Sequence, residues 1–270
     1  MSERLSATRD RDRLPFIDGA VEPWRSSVAT PLKLSIVIPV YNERNTIGQV
    51  LAEVGRVELG LIEKEIIVSD DGSTDGSVAI ARRYAEQHPD MVKVHSAPVN
   101  RGKGAAIHAG MDYATGNLVI IQDADLELNP REYGRILEPL VSGHVDVVYG
   151  SRFLAAPRGI PLCTRLANRF LTWLTNVLFG VRLTDMETAY KAFGRSVWDA
   201  LDLRCMRFDF EPEITAQLLL AGYAIHEVPV SYRPRSAAEG KKICWLDGLR
   251  AIRTLLRCRF SGVHTVARDG

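Results

Sequence analysis

The sequence predicts an α/β protein built on a mostly parallel central sheet. Short apolar runs alternate along the chain with segments that repeat apolar residues every three to four positions. This alternation is typical of strands that are each followed by a helix packed on the sheet. Acid-rich loops follow directly after several of the apolar runs. The chain has 270 residues, of which 46% are hydrophobic, so it can form one large domain with an ample core.

The individual elements follow in a regular order through the first half of the chain. Leu34 to Val40 is a short β-branched run, and helical spacing begins soon after it at Ile47. The second strand ends in an acidic, Gly-rich loop in which Thr74 or Asp75 is a candidate N-cap. The predicted strands are 34–40, 65–68, 92–97, 117–123, 145–153 and 224–232, and the predicted helices are 44–57, the segment after the N-cap, 102–114, 165–181, 208–222 and 244–260. Residues 182–195 read as a polar segment.

Three of the post-strand loops carry carboxylates, namely residues 39–43, 69–75 and 122–127. In an open parallel sheet, ligands bind beyond the carboxyl ends of the strands. We therefore expect these loops to meet at one acidic crevice. Its acids are Glu43, Asp70, Asp71, Asp123, Asp125 and Glu127.

Asp123, Asp125 and Glu127 alternate at a period of two, which would point all three to one side of an extended segment. A solvated strand end is one reading. An EF-hand loop is excluded, because its sixth and twelfth places hold Leu128 and Gly134 instead of Gly and Glu. The remaining reading is a site for Mg²⁺ or Mn²⁺ that bridges the acids to a diphosphate, with all three acids as ligands.

The charge balance excludes some classes of function. The formal net charge is +1, which argues against a nucleic-acid partner. Basic residues are nevertheless concentrated near the C-terminus, with eight Lys or Arg against two acids from Arg233 to Arg259. The four cysteines have no metal-binding spacing. We read them as reduced thiols of a cytoplasmic protein.

Residues 1–31 are predicted to be a polar, partly disordered lead, because they lack the apolar core of a signal peptide. No stretch reaches the roughly 20 apolar residues of a membrane-spanning helix. The predicted division of the chain is this lead, a main α/β domain at 32–240 and a basic amphipathic segment at 241–270. A basic amphipathic helix is typical of a membrane surface, so a peripheral position at the inner face of the cell membrane is expected.

Eight motifs together identify a known family. SIVIPVYNE, VSDDGSTDGS, NRGKGAAIHAGMDYATG, QDADLE and YGSRF, in this order, resemble family 2 glycosyltransferases, which have the GT-A fold. LTDMETAYKAF, FDFEPEI and RSAAEGKKI are similar to the dolichyl- or polyprenyl-phosphate sugar synthases. The resemblance covers roughly residues 34–260.

The resemblance implies a metal-dependent, inverting transfer of a hexose-type sugar from a GDP- or UDP-sugar to a polyprenyl phosphate. Asp125, Arg152 and Arg235 would be catalytic. The residues implied for the nucleotide sugar are Pro39, Tyr41, Glu43, Asp70, Asp71, Lys103, Asp123 and Ala124, and those implied for the acceptor phosphate are Arg152, Arg165, Arg169, Arg235 and Lys241. Relatives can carry Gln at the place of Glu127. Asp185 and Glu187 could orient the nucleophile or be structural, and a structural or loop-anchoring role is favoured.

Two apolar helical stripes are relevant to whether the acceptor is a lipid. Leu166, Phe170 and Trp173 begin one stripe, for which an ordinary core helix is an alternative. Leu246, Leu249 and residues at the same spacing form the other, flanked by arginines. Many relatives continue into transmembrane helices, so a peripheral enzyme, a membrane-anchoring partner chain or a non-lipid acceptor is expected here. A second copy of the chain is a further candidate partner.

Two other functions stay open at this point. The same donor chemistry could serve a soluble acceptor, such as a phosphorylated metabolite or a natural-product core. A non-catalytic subunit that binds nucleotide sugars is the other reading, and the intact D-x-D motif and arginines argue against it.

Overall fold

The structure is a computed structural model, in which we describe residues 31–155, 159–235 and 245–261. Seven strands form one sheet in the order β3-β2-β1-β4-β6-β5-β7. The strands are β1 (Lys33–Val40), β2 (Glu63–Asp70), β3 (Val92–Ser96), β4 (Leu118–Ile121), β5 (Val147–Ser151), β6 (Lys191–Gly194) and β7 (Ile225–Pro229).

Helices alternate with the strands as expected, but two of them, α4 and α6, were not predicted. They are α1 (Ile47–Arg56), α2 (Ser77–Gln87), α3 (Lys103–Tyr113), α4 (Tyr133–Val141), α5 (Leu162–Phe179), α6 (Arg195–Asp199), α7 (Phe210–Leu220) and α8 (Trp245–Phe260). Helix α2 begins after Gly76, whose φ is 95°, and not after Thr74 or Asp75. Asp75 still contributes at this end, because its carboxylate accepts from the Ser77 N–H at 2.9 Å.

The sheet is parallel except around β6. Strand β1 pairs in parallel with β2 and β4, and β2 pairs in parallel with β3. Strand β6 runs antiparallel to both β4 and β5. Sequence reasoning missed β6, which lies in the segment expected to be polar. A four-residue Lys-Ala-Phe-Gly strand has too little β-branched character to be recognised without its partners.

Both faces of the sheet are buried. On one face, Ile36, Ile38 and Ile66 pack with residues of α1 and α4. On the other face, Val37, Ile67 and neighbouring strand residues pack with α3 and α7. This explains why the strands read as continuous apolar runs instead of alternating patterns.

Helices α5 and α8 pack together on the outside of α7. Their shared core includes Leu171, Ala216, Ala251 and Leu255. The two apolar stripes found in the sequence face this core only in part, through the partly buried Leu174 and Leu178 on α5. The large apolar residues that are exposed on these helices are Leu162, Leu166, Phe170, Trp173 and Val177 on α5 and Leu246, Leu249, Leu256 and Phe260 on α8. Ile252 is the member of the predicted α8 stripe that packs inward.

None of the helices among the described residues is both long and apolar enough to cross a bilayer. The first 30 residues of the predicted lead and residues 236–244, which include Lys241, lie outside the described residues. The predicted limits of the lead and of the C-terminal segment therefore stay predictions.

Candidate functional site

The acidic loops meet beyond the carboxyl ends of β1, β2 and β4, which are neighbours in the sheet. The loop after β1 is joined to the loop after β2 by a hydrogen bond from the Asn42 N–H to Ser73 Oγ at 2.9 Å. Arg235 then joins the loop after β1 to the loop after β4, through contacts with Glu43 and Asp125. The fold thus brings residues that are 31 to 192 positions apart in the sequence to one crevice.

The D-x-D segment is a turn and not an extended strand end. Strand β4 ends at Ile121, and Leu126 has a φ of 61°, a left-handed conformation that is uncommon for leucine. The Asp125 carboxylate accepts the Glu127 N–H at 3.1 Å, which holds the turn. The expectation that the three acids alternate along an extended segment is therefore wrong. Each of the three has a different set of partners.

Asp123 is half-buried and shares one lysine with the buried Glu211. Lys103 Nζ lies 2.8 Å from Asp123 Oδ1 and 2.7 Å from Glu211 Oε1. Burial would lower the pKa of Lys103, but the two carboxylates outweigh burial and raise it. Lys103 is the first residue of α3. Gly102 before it has a φ of 117°, and a Cβ there would lie 2.5 Å from the Met206 carbonyl oxygen, so glycine is required at this position.

Asp125 is paired with Arg235. The Arg235 Nη2 donates to Asp125 Oδ2 at 2.7 Å, and Nη1 contacts both Glu43 oxygens at 3.1 to 3.2 Å. Burial, together with the negative charges of Asp123 and Glu127, raises the pKa of Asp125 to about 7, although Arg235 opposes the shift. The arginine is thus a counter-ion placed over the most buried acid of the motif.

Glu127 holds the chain segment that carries Arg235. Its Oε1 accepts the Arg235 N–H at 2.8 Å and its Oε2 accepts the Tyr232 hydroxyl at 2.9 Å. The Glu127 carbonyl oxygen accepts the Arg233 N–H at 2.9 Å. Leu128 and Tyr232 add an isolated antiparallel bridge. Both carboxylate oxygens of Glu127 are therefore engaged by protein donors.

Asp70 and Asp71 are buried at the end of β2, and both are occupied by protein donors. Asp71 accepts the Arg101 N–H at 2.8 Å and the Gly102 N–H at 2.6 Å. Asp70 accepts the Ser96 hydroxyl at 2.8 Å. The pair thus fixes the loop that leads into α3. Pro39 is buried in β1, and Tyr41 follows the strand in a half-buried position.

Arg152 follows β5 and forms a fork with Asp185. Its Nε and Nη2 each lie 2.7 Å from one of the Asp185 oxygens, and its backbone N–H donates to the same carboxylate at 3.0 Å. Asp185 is fully buried, and its own N–H donates to Glu227 at 2.9 Å. The guanidinium also lies over the Tyr232 ring, 5.2 Å from its centroid. Arg152 is thereby fixed in orientation.

Glu187 and Lys191 are titratable groups next to this fork. The pKa of Glu187 is raised to about 7, mainly by burial and in addition by the negative charge of Glu211. Its Oε1 is shielded from solvent and has no hydrogen-bond partner among the described residues. Burial lowers the pKa of Lys191 to about 8, against the opposing effect of Glu211. Its Nζ donates to the carbonyl oxygens of Met186, at 3.1 Å, and Thr188.

The other predicted acceptor arginines stand apart from these contacts. Arg165 and Arg169 lie one turn apart on the exposed surface of α5, and within the described ranges neither takes part in an ion pair. Sequence reasoning did not single out Lys191, Glu227 or Tyr232. Tyr232 and Glu227 lie in a stretch read only as a strand, and Lys191 lies in the strand that was missed.

The residues present fit a divalent cation only in part. In the described portion of the chain, no group of three His, Cys, Asp or Glu side chains is arranged to hold a metal ion. Asp123 and Asp125 supply the hard oxygen atoms that such a cation prefers. The positively charged guanidinium of Arg235 already contacts Asp125. Two aspartates with the oxygens of a diphosphate make a suitable Mg²⁺ site. Glu127 already holds the segment that carries Arg235, since its two oxygens accept the Tyr232 hydroxyl and the Arg235 N–H.

Comparison with known proteins identifies the family. The family model described as glycosyl transferase family 2 matches residues 35–160. The polyprenol monophosphomannose synthase of Mycolicibacterium smegmatis is 31% identical over 214 residues, which are 76% of this chain and 79% of that protein. The chain is a family 2 glycosyltransferase. An undecaprenyl-phosphate 4-deoxy-4-formamido-L-arabinose transferase of Pseudomonas aeruginosa is 34% identical over 77% of this glycosyltransferase, which spans only 60% of that relative's length.

Solved structures agree with the fold. Glucosyl-3-phosphoglycerate synthase from Mycobacterium tuberculosis, in complex with Mn²⁺, UDP-glucose and phosphoglyceric acid, superposes with a TM-score of 0.64 at 25% identity. The match covers 84% of this glycosyltransferase and 80% of that chain. The predicted GT-A fold, the predicted enzyme class and the resemblance to polyprenyl-phosphate sugar synthases are confirmed.

Proposed function

We propose that this glycosyltransferase moves a hexose-type sugar from a nucleotide-diphosphate sugar to a polyprenyl phosphate. A phosphate oxygen of the acceptor attacks the anomeric carbon, and the bond from that carbon to the diphosphate breaks. The configuration inverts and the nucleoside diphosphate leaves. An ionised phosphate needs no base to remove a proton, so the enzyme has only to position the two substrates and stabilise charge.

One tyrosine carries this proposal, because it joins the two halves of the site. The Tyr232 hydroxyl binds Glu127 in the D-x-D turn, and its ring lies against the Arg152 guanidinium. An arginine fixed by a carboxylate fork is suited to an acceptor phosphate, since its free edge can still donate. Tyr232 thus contacts both the turn that carries the acids of the donor site and Arg152, the arginine proposed for the acceptor phosphate. Direct transfer requires the two substrates to bind this close together.

The donor roles are assigned to residues around the crevice. Pro39, Tyr41, Glu43, Asp70 and Asp71 line the nucleotide base and ribose, and Lys103 with Ala124 lies by the diphosphate. A Mg²⁺ or Mn²⁺ ion held by Asp123 and Asp125 would offset the charge of the leaving diphosphate. The relatives with UDP, UDP-glucose, Mn²⁺ and Mg²⁺ bound support this choice of ligands. Both UDP and GDP are compatible with the acids present.

The exposed apolar faces of α5 and α8 support a lipid acceptor. Nine large apolar side chains stand in solvent on two helices that pack against each other. Exposed apolar side chains grouped on neighbouring helices are typical of an interaction surface. Arg207, Arg250, Arg253 and Arg257 line a cavity of about 410 Å³ beside α8. A basic residue at a bilayer surface attracts anionic headgroups by about 1 kcal/mol, although Arg250 and Arg257 are already paired with Asp247 and Glu213. We infer peripheral binding at the inner face of the membrane, by a segment that includes α8.

The membrane surface can be tested with vesicles of phosphatidylcholine, with and without phosphatidylglycerol. Trp173→Glu, on the exposed face of α5, should reduce co-sedimentation at least severalfold. Leu61→Glu is the matched control, because Leu61 is 98% exposed but lies between α1 and β2. Equal binding by both variants would contradict the assignment of this face.

The transfer itself can be tested with purified protein, a panel of UDP- and GDP-sugars, Mn²⁺ or Mg²⁺, and polyprenyl phosphate in detergent. Formation of a lipid phosphosugar is expected. Asp125→Ala should abolish it, and Arg152→Ala should abolish use of the acceptor. Full activity in either variant would contradict the assigned roles. Release of free sugar without any transfer, in the wild type, would contradict the acceptor class.

A soluble phosphorylated acceptor is the second candidate. The observation in its favour is the similarity to glucosyl-3-phosphoglycerate synthase with phosphoglyceric acid bound. Arg152 would serve either phosphate, so the crevice alone favours neither. Transfer to phosphoglycerate without detergent or lipid would establish this candidate instead. Nucleotide-sugar binding without any turnover would favour the non-catalytic reading.

A further inference from the structure

Arg235 contacts the carboxylates of three separate acids. Its Nη2 lies 2.7 Å from Asp125, its Nη1 lies 3.1 Å from Glu43, and its Nε lies 3.9 Å from Glu127. The side chain is only 16% exposed, so these contacts are poorly screened by solvent. Among the described residues, the Arg235 guanidinium therefore balances the negative charge of three acids, which are Glu43 in the loop after β1 and Asp125 and Glu127 in the loop after β4.

Glu127 fixes where this guanidinium sits. It accepts the Arg235 N–H and the Tyr232 hydroxyl through its carboxylate, and it accepts the Arg233 N–H through its carbonyl oxygen. These bonds attach residues 232–235 to the D-x-D turn like a short strand pair. Glu127, which the sequence predicts to be a metal ligand, thus holds Arg235 in position.

We propose that Arg235 is an exchangeable counter-ion of the metal-binding acids, positioned by Glu127, which a divalent cation displaces only together with a nucleotide diphosphate. The inference rests on the proposed function of the crevice. Glu127 is accordingly a positioning residue and not a metal ligand. The occupant of the site is Mg²⁺ or Mn²⁺ in complex with a nucleoside diphosphate.

The electrostatics explain why the two ligands should bind together. A cation arriving alone at Asp125 meets the charge of Arg235 and breaks its shortest ion pair, so that the guanidinium keeps only Glu43 and the more distant Glu127. Removing one partner from a poorly hydrated ion pair is unfavourable. A diphosphate arriving with the cation supplies new oxygens that the displaced guanidinium can bind. The metal and the nucleotide should therefore raise each other's affinity, as linkage requires.

The test measures binding of Mn²⁺ to the whole protein by electron paramagnetic resonance, without any sugar or acceptor. Arg235→Gln should bind Mn²⁺ alone at least about tenfold more tightly than the wild type. Arg233→Gln is the matched control, since it makes the same charge change two residues away, where the guanidinium has no ion pair among the described residues. Its Mn²⁺ affinity should stay within about twofold of the wild type.

Addition of UDP or GDP provides the second readout. In the wild type, the diphosphate should tighten Mn²⁺ binding by about tenfold or more, and in Arg235→Gln this gain should shrink. Thermal melts verify that both variants are folded. Unchanged or weaker binding of Mn²⁺ alone by Arg235→Gln would overturn the inference, even if Mn²⁺ and nucleotide bind and transfer proceeds.

The double variant with Glu127→Gln and Arg235→Gln tests whether Glu127 positions Arg235 or binds the metal ion itself. Glutamine can keep both hydrogen bonds of Glu127, because Tyr232 can accept as well as donate. With no guanidinium left to position, Mn²⁺ affinity should change less than about threefold, and the preference between Mg²⁺ and Mn²⁺ should not change. A loss of tenfold or more would make Glu127 a ligand. Failure of every variant to bind Mn²⁺, even with UDP or GDP, would overturn the proposed function as well.

Discussion

The ion pair between Arg152 and Asp185 allows a direct test of how the site is built. Asp185 is fully buried and accepts three N–H groups of Arg152. Asp185→Asn keeps the shape but replaces one carboxylate oxygen with an NH₂ group. An amide oxygen can serve only one side of the fork, so a guanidinium N–H would face another donor. The variant also leaves a buried positive charge without compensation.

The expected cost follows from that loss. Removing one partner of a buried ion pair typically destabilises a protein by about 3 to 5 kcal/mol, which corresponds to a fall in Tm of roughly 6 to 20 °C for a domain of this size. Because Arg152 then lacks a fixed orientation, the KM for the phosphorylated acceptor should rise. The KM for the nucleotide sugar should change little.

Chemical denaturation and initial-rate kinetics measure both effects. Asp199→Asn is the control, because its ion pair with Arg195 is exposed and should be worth under about 0.5 kcal/mol. Arg152→Met combined with Asp185→Leu should recover most of the stability, since both charges are gone, yet should not transfer sugar. A single Asp185→Asn variant within 1 kcal/mol of the wild type would refute the reasoning.

Three further predictions concern residues that support the site. Glu187 has a pKa of about 7, raised by burial and by Glu211, so the folded state holds its proton more tightly than the unfolded state. The wild type should therefore lose stability relative to Glu187→Gln as pH rises from about 4 to about 7, and thermal melts at pH 5 and 8 that show the reverse trend would contradict this. Lys191 has a pKa lowered to about 8 by burial, so the wild type should gain stability relative to Lys191→Met between pH 8 and roughly 10.4; a difference in Tm independent of pH would argue against a buried, titrating lysine. Gly102→Ala forces a Cβ against the Met206 carbonyl at a left-handed φ and should cost about 1 to 3 kcal/mol and raise the KM for the nucleotide sugar, whereas Gly134→Ala, in open space on α4, should be neutral or stabilising in the same urea titration.

Periodicity was sufficient for those parts of the fold that are set by local sequence. Strands β1 to β4 and the helices between them follow from apolar runs and helical spacing. Strand β6 could not be found in this way, because its position is set by pairing with β4 and β5, which flank it in space but not in sequence. The apolar stripe of α5 shows another limit. Its spacing is the same whether the stripe faces a core or solvent, and the structure has Leu166, Phe170, Trp173 and Val177 exposed while Leu174 and Leu178 pack inward.

The candidate site was predictable in its residues but not in its contacts. The motifs pointed to Asp125 and Arg235, and these two side chains are paired. The alternation of acids in the D-x-D segment suggested an extended strand. The chain instead turns at Leu126, so the three carboxylates are distributed among Lys103, Arg235 and backbone donors. No rule of spacing predicts which acid pairs with a base more than 100 residues away.

That long-range pairing has a practical consequence for exchanging parts between relatives. Glu127 holds Tyr232, Arg233 and Arg235 through side-chain and backbone bonds, although 105 or more positions separate it from them. A chimera that imports the D-x-D loop alone, or the 232–235 segment alone, would combine surfaces that were not selected together. Substrate preference should therefore transfer between family members only when both segments are moved as one unit.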